Sequence, residues 1–503
     1  MKELLKNNVS FILFCCFMLI FLCFQTLTHN NIDPDFWARL IQGNSFLETG
    51  HLLKNDILSF TQTHIWLDHE WGASIIFAFV LKFFGFKGIL ILRTLISFLI
   101  FFLIFKTIEL RNPKQNMVLD LLLFSLAVFA LPTVTQSGLR CHFFTFLFFT
   151  IFIYILELVR IQNRNKLLFL LPLIMLFWSN IHGGCVSGLG LIGIYCVGEF
   201  LNQKPFKKYL LTLAVSLGVM FTNPYGIEFV KFIFTASTMS RPYITEWLSP
   251  FVHPAWNFML WFKIMYIFCA VLLIFSLKNI KTDFTKNFLL LVCLLVSARN
   301  VKSTPFFIIT SMIFLYDYLY IITQKVFSKV DEKKEQILSA VLGIIILISL
   351  IPQLKNGLSK SFLREQPLQA VEFLKINGLK GNILTPLDYG SYTAYKLYPD
   401  ILIYMDGRYE EVYYPETKIL ADNFYLVKDN WEKILEFSPD YIIIPADGLV
   451  NDYLEKREDY KLIYANPKEY LYAKSDITQS EYQRPPSSYK DYEKNAFETK
   501  INF

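Results

Sequence analysis

Long apolar runs without a polar face recur between residues 9 and 352. That pattern suits lipid rather than a soluble core. The runs predict eleven membrane spans: 9–27, 89–108, 117–132, 143–160, 167–179, 184–202, 208–222, 258–277, 286–298, 305–323 and 336–352. Two long polar stretches interrupt them, 28–71 and 223–257. The first continues into residues 72–84, which read as a helix lying along the membrane surface and ending at Gly85-Phe86-Lys87-Gly88.

The pattern changes after about residue 366. Gln366–Asn377 reads as an amphipathic helix stopped by Gly378. Short strands are predicted at Gly381–Thr385, Ile401–Met405, Tyr441–Pro445, Tyr460–Tyr464 and Tyr470–Lys474. Helical stretches at 389–397, 415–426, 428–437 and 449–457 intervene. Strands alternating with helices predict a small α/β domain. The expected organisation is a transmembrane domain over 1–352, with outer segments at 28–88 and 223–257, then an α/β domain over 353–476. Residues 477–503 are polar, contain Pro485-Pro486, and read as a flexible tail. The fold class is thus a polytopic α-helical membrane protein with a small extracytoplasmic α/β domain.

Charge sets the orientation. Lys and Arg cluster at 106–114, 160–166, 204–208, 278–286 and 325–334, and the loops between these clusters are poor in them. With Lys2 and Lys6 ahead of the first span, this alternation gives a cytoplasmic N-terminus if 72–108 crosses the membrane once. All seven histidines, including His253, then fall at the outer face. From 353 onward there are 19 basic against 24 acidic residues, and the first 352 carry 29 against 18. The net +6 therefore belongs to the membrane part and excludes a nucleic-acid surface. The eight cysteines form no Cys-x-x-Cys pattern; Cys141 and Cys185 fall at the same predicted membrane face, where they either pair or, as the plainer reading, stay free thiols.

Candidate chemistry gathers in the first loop. Asp33-Pro34-Asp35 has two readings. In the structural one, Asp33 caps a helix, Pro34 opens it, and Asp35 favours its positive end and pairs with Arg39. In the functional one, a carboxylate at the membrane exit is a general base or a metal ligand. Asp68-His69-Glu70 closes the loop and supplies further acid/base groups. Asp35, Asp68 and Glu70 form a candidate oxygen site for magnesium or manganese. No His-Glu-x-x-His motif is present. Arg93 lies just inside the second span, where a guanidinium either snorkels or binds a lipid-linked phosphate. Arg140 and Arg299 can share that role, with His69 and Glu246 as further substrate contacts. Asp406-Gly407-Arg408 reads as a turn, with an anion or glycan contact through Arg408 as the alternative.

These features resemble the GT-C superfamily of polytopic glycosyltransferases, which includes protein mannosyltransferases and lipid A aminoarabinose transferases. The likeness is an anchor helix, an acidic loop with Asp33 and Asp35, a surface helix closing in Phe-Phe-Gly (83–85), and a span opening with Arg93. Those families usually carry an adjacent Asp-Glu pair where this chain has Asp-x-Asp. The stretches D-x-D-F-W, G-N-S-F, N-D-I-L-S-F-T, W-x-D-H-E-W, N-P-Y-G, E-W and Y-G-S-Y…D-G-R look closer still to a group of bacterial membrane proteins placed near that superfamily.

The resemblance implies hexosyl or pentosyl transfer from a polyprenyl-phosphate donor to a lipid, glycan or protein acceptor, at the outer face of the bacterial cytoplasmic membrane. It implies Asp35 or Asp33 as the base and Arg93, with Arg299, on the phosphate; Glu70 stays the further acid/base candidate that the loop itself offers. No cofactor beyond a divalent cation is implied. The rival readings are a non-catalytic envelope assembly or sensing protein and a lipid or glycan transporter.

Overall fold

The computed structural model describes residues 2–112, 116–131, 137–239, 241, 244–252, 260–277, 283–327 and 332–501. His253 and the start of the expected span 258–277 lie outside the described residues. The chain forms two compact units. The first comprises Met1–Asn30, Phe86–Ser137 and Cys141–Ser359; the second comprises Asn31–Gly85, Gly138–Arg140 and Lys360–Phe503. The first polar loop therefore clusters with the C-terminal region, whereas the hydropathy pattern grouped it with the spans.

The first unit is helical. Helix α1 is Lys2–Thr28. Every other expected span meets a helix, among them His142–Gln162, Val186–Leu201 and Phe284–Arg299. Among the described residues, five helical stretches are long and apolar enough to cross a membrane: Phe11–Thr28, Trp71–Arg111, His142–Gln162, Gly183–Leu201 and Lys334–Ser359. The chain is accordingly a multi-pass membrane protein. Several of the other expected spans meet shorter helices. Met117–Ala130 has 14 residues and Thr304–Phe314 has 11. At 1.5 Å per residue these fall short of a hydrocarbon layer of about 30 Å.

Polar and charged side chains tie the helices together. Arg160 donates to Glu199 at 2.8 Å and to Asp283 at 3.0 Å. The hydroxyls of Tyr195 and Tyr316 donate to Glu157 and Asp120 at 2.8 and 2.7 Å. The described part of the stretch 223–257 holds the helix Gly226–Thr238. Asn223 in front of it is buried and donates to Ser179 O and Asn180 Oδ1, both at 3.1 Å.

Helix α3, Trp71–Arg111, runs through both units. It is non-helical at Gly85, with φ 62°, and the unit boundary follows that residue. The break expected between the surface helix and the second span sits here.

The second unit is built on a five-stranded sheet of order β2-β1-β3-β5-β4. The strands are β1 Gly381–Leu384, β2 Ile401–Ile403, β3 Tyr441–Pro445, β4 Tyr460–Ala465 and β5 Glu469–Lys474. β1 pairs in parallel with β2 and β3, while β5 runs antiparallel to β3 and β4. Ile442 and Ile444 of β3 are buried with Phe424, Val450 and Leu454 from the connecting helices.

The first loop covers the β2 edge, which would otherwise expose unpaired backbone groups. Ile403 N–H donates to Leu58 O at 2.9 Å and Phe60 N–H to Ile403 O at 3.1 Å. Ser59 pairs in parallel with Ile403, and Thr63 in antiparallel with Tyr413. The stretch expected to be a flexible tail is also held. Ala496 and Ile501 are buried, and Lys396 donates to the carbonyls of Asn495 and Glu498, both at 2.8 Å. A buried ammonium needs such acceptors, and Gln369 also donates to the carbonyls of Pro486 and Ser487, both at 3.1 Å.

Candidate active site

Helix α2, Asp35–Thr49, carries the first candidates. Asp33 starts it: its Oδ1 accepts the Asp35 N–H at 3.0 Å, and its carbonyl accepts the Phe36 N–H at 3.1 Å. The capping expected of Asp33 is thus present. Asp35 pairs with Arg140 and not with Arg39. The Arg140 Nη2 donates to Asp35 Oδ2, and its Nε lies 3.4 Å from Asp33 Oδ1. Asp35 is 40% exposed and Asp33 only 14%, so Asp35 is the more accessible of the two carboxylates.

Two glycines permit this arrangement. A Cβ on Gly138 would lie 2.7 Å from both Asn31 O and Asp33 N. A side chain there would push Arg140 away from the acidic pair. A Cβ on Gly407 would lie 2.5 Å from Asp35 Oδ1. The backbone of the Asp406-Gly407-Arg408 turn therefore stands against the Asp35 carboxylate.

A buried ion triad fixes that turn. Arg408 donates through Nε to both Asp406 oxygens, at 2.9 and 3.0 Å, and through Nη1 to Asp56 Oδ1 at 2.8 Å. Its Nη2 donates to the Tyr413 hydroxyl at 3.2 Å, and its guanidinium lies over Trp66, 4.6 Å from the ring centroid. Ser391 donates to Asp406 at 3.0 Å. Burial pushes the Asp56 carboxyl up, but the Arg408 charge and the Ser59 and Leu58 hydrogen bonds hold it below its usual 3.8. Both Arg408 and the triad's carboxylates are fully buried. The anion contact expected of Arg408 meets a guanidinium already committed to these partners.

A second buried cluster surrounds Arg39. It donates to Asp68 and, through Nη2, to both Glu411 oxygens at 3.1 and 3.0 Å; its Nε lies 3.4 Å from Glu70. Glu411 also accepts from Trp66 Nε1 at 2.7 Å and lies 2.8 Å from His69 Nδ1. Burial drives the Asp68 carboxyl up to about 6 despite the Arg39 charge. Burial alone would lower the His69 imidazole, but the Glu411 carboxylate beside it holds it above the usual 6.5. Glu411 itself is kept below its usual 4.5 by Arg39 and His69, against the effect of burial.

His69, Glu70 and Glu411 bring one ligand atom each within 4.8 Å of one another, a grouping that can hold a metal ion. Of the cation set expected from the sequence, only Glu70 belongs to it. Asp68 and Glu411 already bond to Arg39, and Asp35 bonds to Arg140.

The remaining candidates belong to the helical unit. Arg93 is buried and donates to the His29 carbonyl. Arg299 is exposed at the end of Phe284–Arg299. Glu246 sits in the short 3-10 helix Thr245–Trp247. Sequence reasoning missed Asp56, Ser391, Glu411, Tyr413 and Gly138 as parts of these networks. Nothing in local spacing marks Glu411, whose partner Arg39 is 372 positions away. Asp56 and Gly407 did lie in stretches quoted for the family resemblance.

Known structures share this architecture. The Archaeoglobus fulgidus oligosaccharyltransferase tethered to an acceptor peptide matches with a TM-score of 0.55 and 10% identity, over 86% of this chain and 69% of that one. Its apo form matches with a TM-score of 0.56 and 9% identity, over 85% and 69%. The same enzyme, AglB, in complex with an inhibitory peptide and a dolichol-phosphate gives 0.56 and 9%, over 86% and 69%. At such identity the likeness is one of fold, and it agrees with the GT-C resemblance. No family model matches the sequence, and no curated protein does either.

Proposed function

We propose that this chain is a membrane glycosyltransferase. In this reading it moves a hexosyl or pentosyl unit from a polyprenyl-phosphate donor to a lipid, glycan or protein acceptor. The reaction takes place at the outer face of the bacterial cytoplasmic membrane, with the N-terminus cytoplasmic and the C-terminal unit outside. The observation that carries the reading is the exposed Asp35 carboxylate at the start of α2, braced by Arg140 and the Gly407 backbone. It stands in a chain whose fold is similar to that of an oligosaccharyltransferase over most of its length. One of those neighbours holds a dolichol-phosphate, which supports a polyisoprenoid donor.

The chemistry follows from charge. Asp35 takes the proton of an acceptor hydroxyl as that oxygen attacks the anomeric carbon. The bond from the anomeric carbon to the phosphate oxygen breaks, and the polyprenyl phosphate leaves with the bonding pair. In this reading Arg93, with Arg299, offsets the charge that develops on the phosphate. Glu70 and His69 lie in the Arg39 cluster and serve to hold the loop in place.

The test is a panel of polyprenyl-phosphate hexoses and pentoses presented to the full chain in proteoliposomes, with envelope extract as acceptor. Release of polyprenyl phosphate together with a glycosylated product is expected for one donor class. Failure of every donor and acceptor, with an unchanged envelope in cells carrying Asp35→Asn, would overturn the reading.

A further inference from the structure

We infer that Arg140 takes the place of a divalent cation at the Asp33–Asp35 pair, so that the carboxylate chemistry of this chain runs without a metal at that position. The inference rests on the reading of Asp35 as the working carboxylate. It adds what balances that carboxylate's charge.

Two carboxylates one residue apart repel each other unless a cation stands between them. A divalent ion is one solution, because oxygen ligands suit it. A guanidinium is another, because its fork can reach two carboxylates at once. Here the fork does so, with Nη2 on Asp35 Oδ2 and Nε 3.4 Å from Asp33 Oδ1.

Three further features show that the arrangement is built. Gly138 has no room for a Cβ, which lets residues 138–140 run against the loop before α2. Leu139 is buried beside it and anchors the segment. Asp33 Oδ1 is already engaged by the Asp35 N–H at 3.0 Å. That oxygen is thereby shared between the start of the helix and the Arg140 guanidinium.

The substitution has a chemical consequence. A guanidinium brings one positive charge where a metal would bring two, so the pair keeps a net negative charge. Gly407 confines the other oxygen, since a Cβ there would fall 2.5 Å from Asp35 Oδ1.

The experiment is Mn²⁺ binding, read as loss of the free-ion EPR signal, with the full chain in phosphatidylcholine nanodiscs. Wild type, Asp35→Asn, Arg140→Gln and the double variant Arg140→Gln with Asp35→Asn would be compared. Wild type and Asp35→Asn should bind Mn²⁺ alike, because the pair contributes no site. Arg140→Gln should gain a site that the added Asp35→Asn removes. A wild-type site abolished by Asp35→Asn would overturn the inference, and so would an Arg140→Gln protein that gains nothing. The wild-type comparison stands even if Arg140→Gln fails to fold. Because the readout is ion binding, its failure is separate from any failure of sugar transfer.

Discussion

Arg39 donates to both carboxylate oxygens of Glu411, at 3.1 and 3.0 Å, across 372 positions of sequence. Glu411 is buried, and it also accepts from Trp66 and faces His69. One side chain of the C-terminal region therefore gathers three from the first loop.

Breaking this contact should be costly. Removing one partner of a buried ion pair leaves the other charge unpaired, at about 3–5 kcal/mol. Arg39→Met and Glu411→Gln should each lower the unfolding midpoint of the full chain in detergent. The double variant should lose less than the two single losses together. Equal midpoints in wild type and the single variants would show that the pair does not hold the unit together.

The same cluster should make stability depend on pH. Folded His69 holds its proton above 6.5, so its contribution is complete below that pH and is lost as pH rises through the folded value. Asp68 acts in the same direction, because the folded state keeps until about 6 a proton that the unfolded chain releases near 3.8. Glu411 acts oppositely: its contribution is present above 4.5 and is lost as pH falls through its lowered folded value. Melts between about pH 6 and about pH 8 should therefore fall more steeply for wild type than for His69→Gln. Parallel curves would contradict the assignment.

The two glycines of the site should behave differently. Gly138→Ala places a methyl against backbone atoms at 2.7 Å, which cannot yield without moving the chain. A stability loss of about 1–3 kcal/mol is expected from unfolding curves. Gly407→Ala meets the end of the Asp35 side chain, which can turn away. It should leave the melt nearly unchanged while transfer falls about a hundredfold, as expected when a reacting group is misplaced. The reverse pattern would show that Gly407 serves the fold alone.

Orientation has an independent check. Lys380 is 72% exposed in the C-terminal unit and pairs only at the surface with Asp400. A Lys380→Cys protein should react with an impermeant thiol reagent on intact spheroplasts. Reaction only after permeabilisation would place the unit in the cytoplasm and remove the proposed outer-face chemistry.

Much of the fold was legible because its signals are local. The strand Tyr441–Pro445 and the break at Gly85 followed from apolar runs, turn residues and glycine. The Asp33 cap was equally local, since donor and acceptor sit two positions apart. The site was less legible, because its partners are distant. Arg39 looked like an i,i+4 partner of Asp35, yet Asp68 and Glu411 take it. The contact of Arg140 with Asp35 spans 105 positions, and no local spacing announces it. The carbonyls of Asn495 and Glu498 meet Lys396, a partner about a hundred positions away that a polar, proline-containing stretch does not reveal.

The central claim is that Asp35 is the base of a sugar transfer, and polyprenyl phosphate release at saturating donor tests it most directly. Asp35→Asn keeps the shape of the side chain and removes its basicity, so the rate should fall about 10²–10⁴-fold, with donor binding retained. Equal rates for wild type and Asp35→Asn would contradict the account.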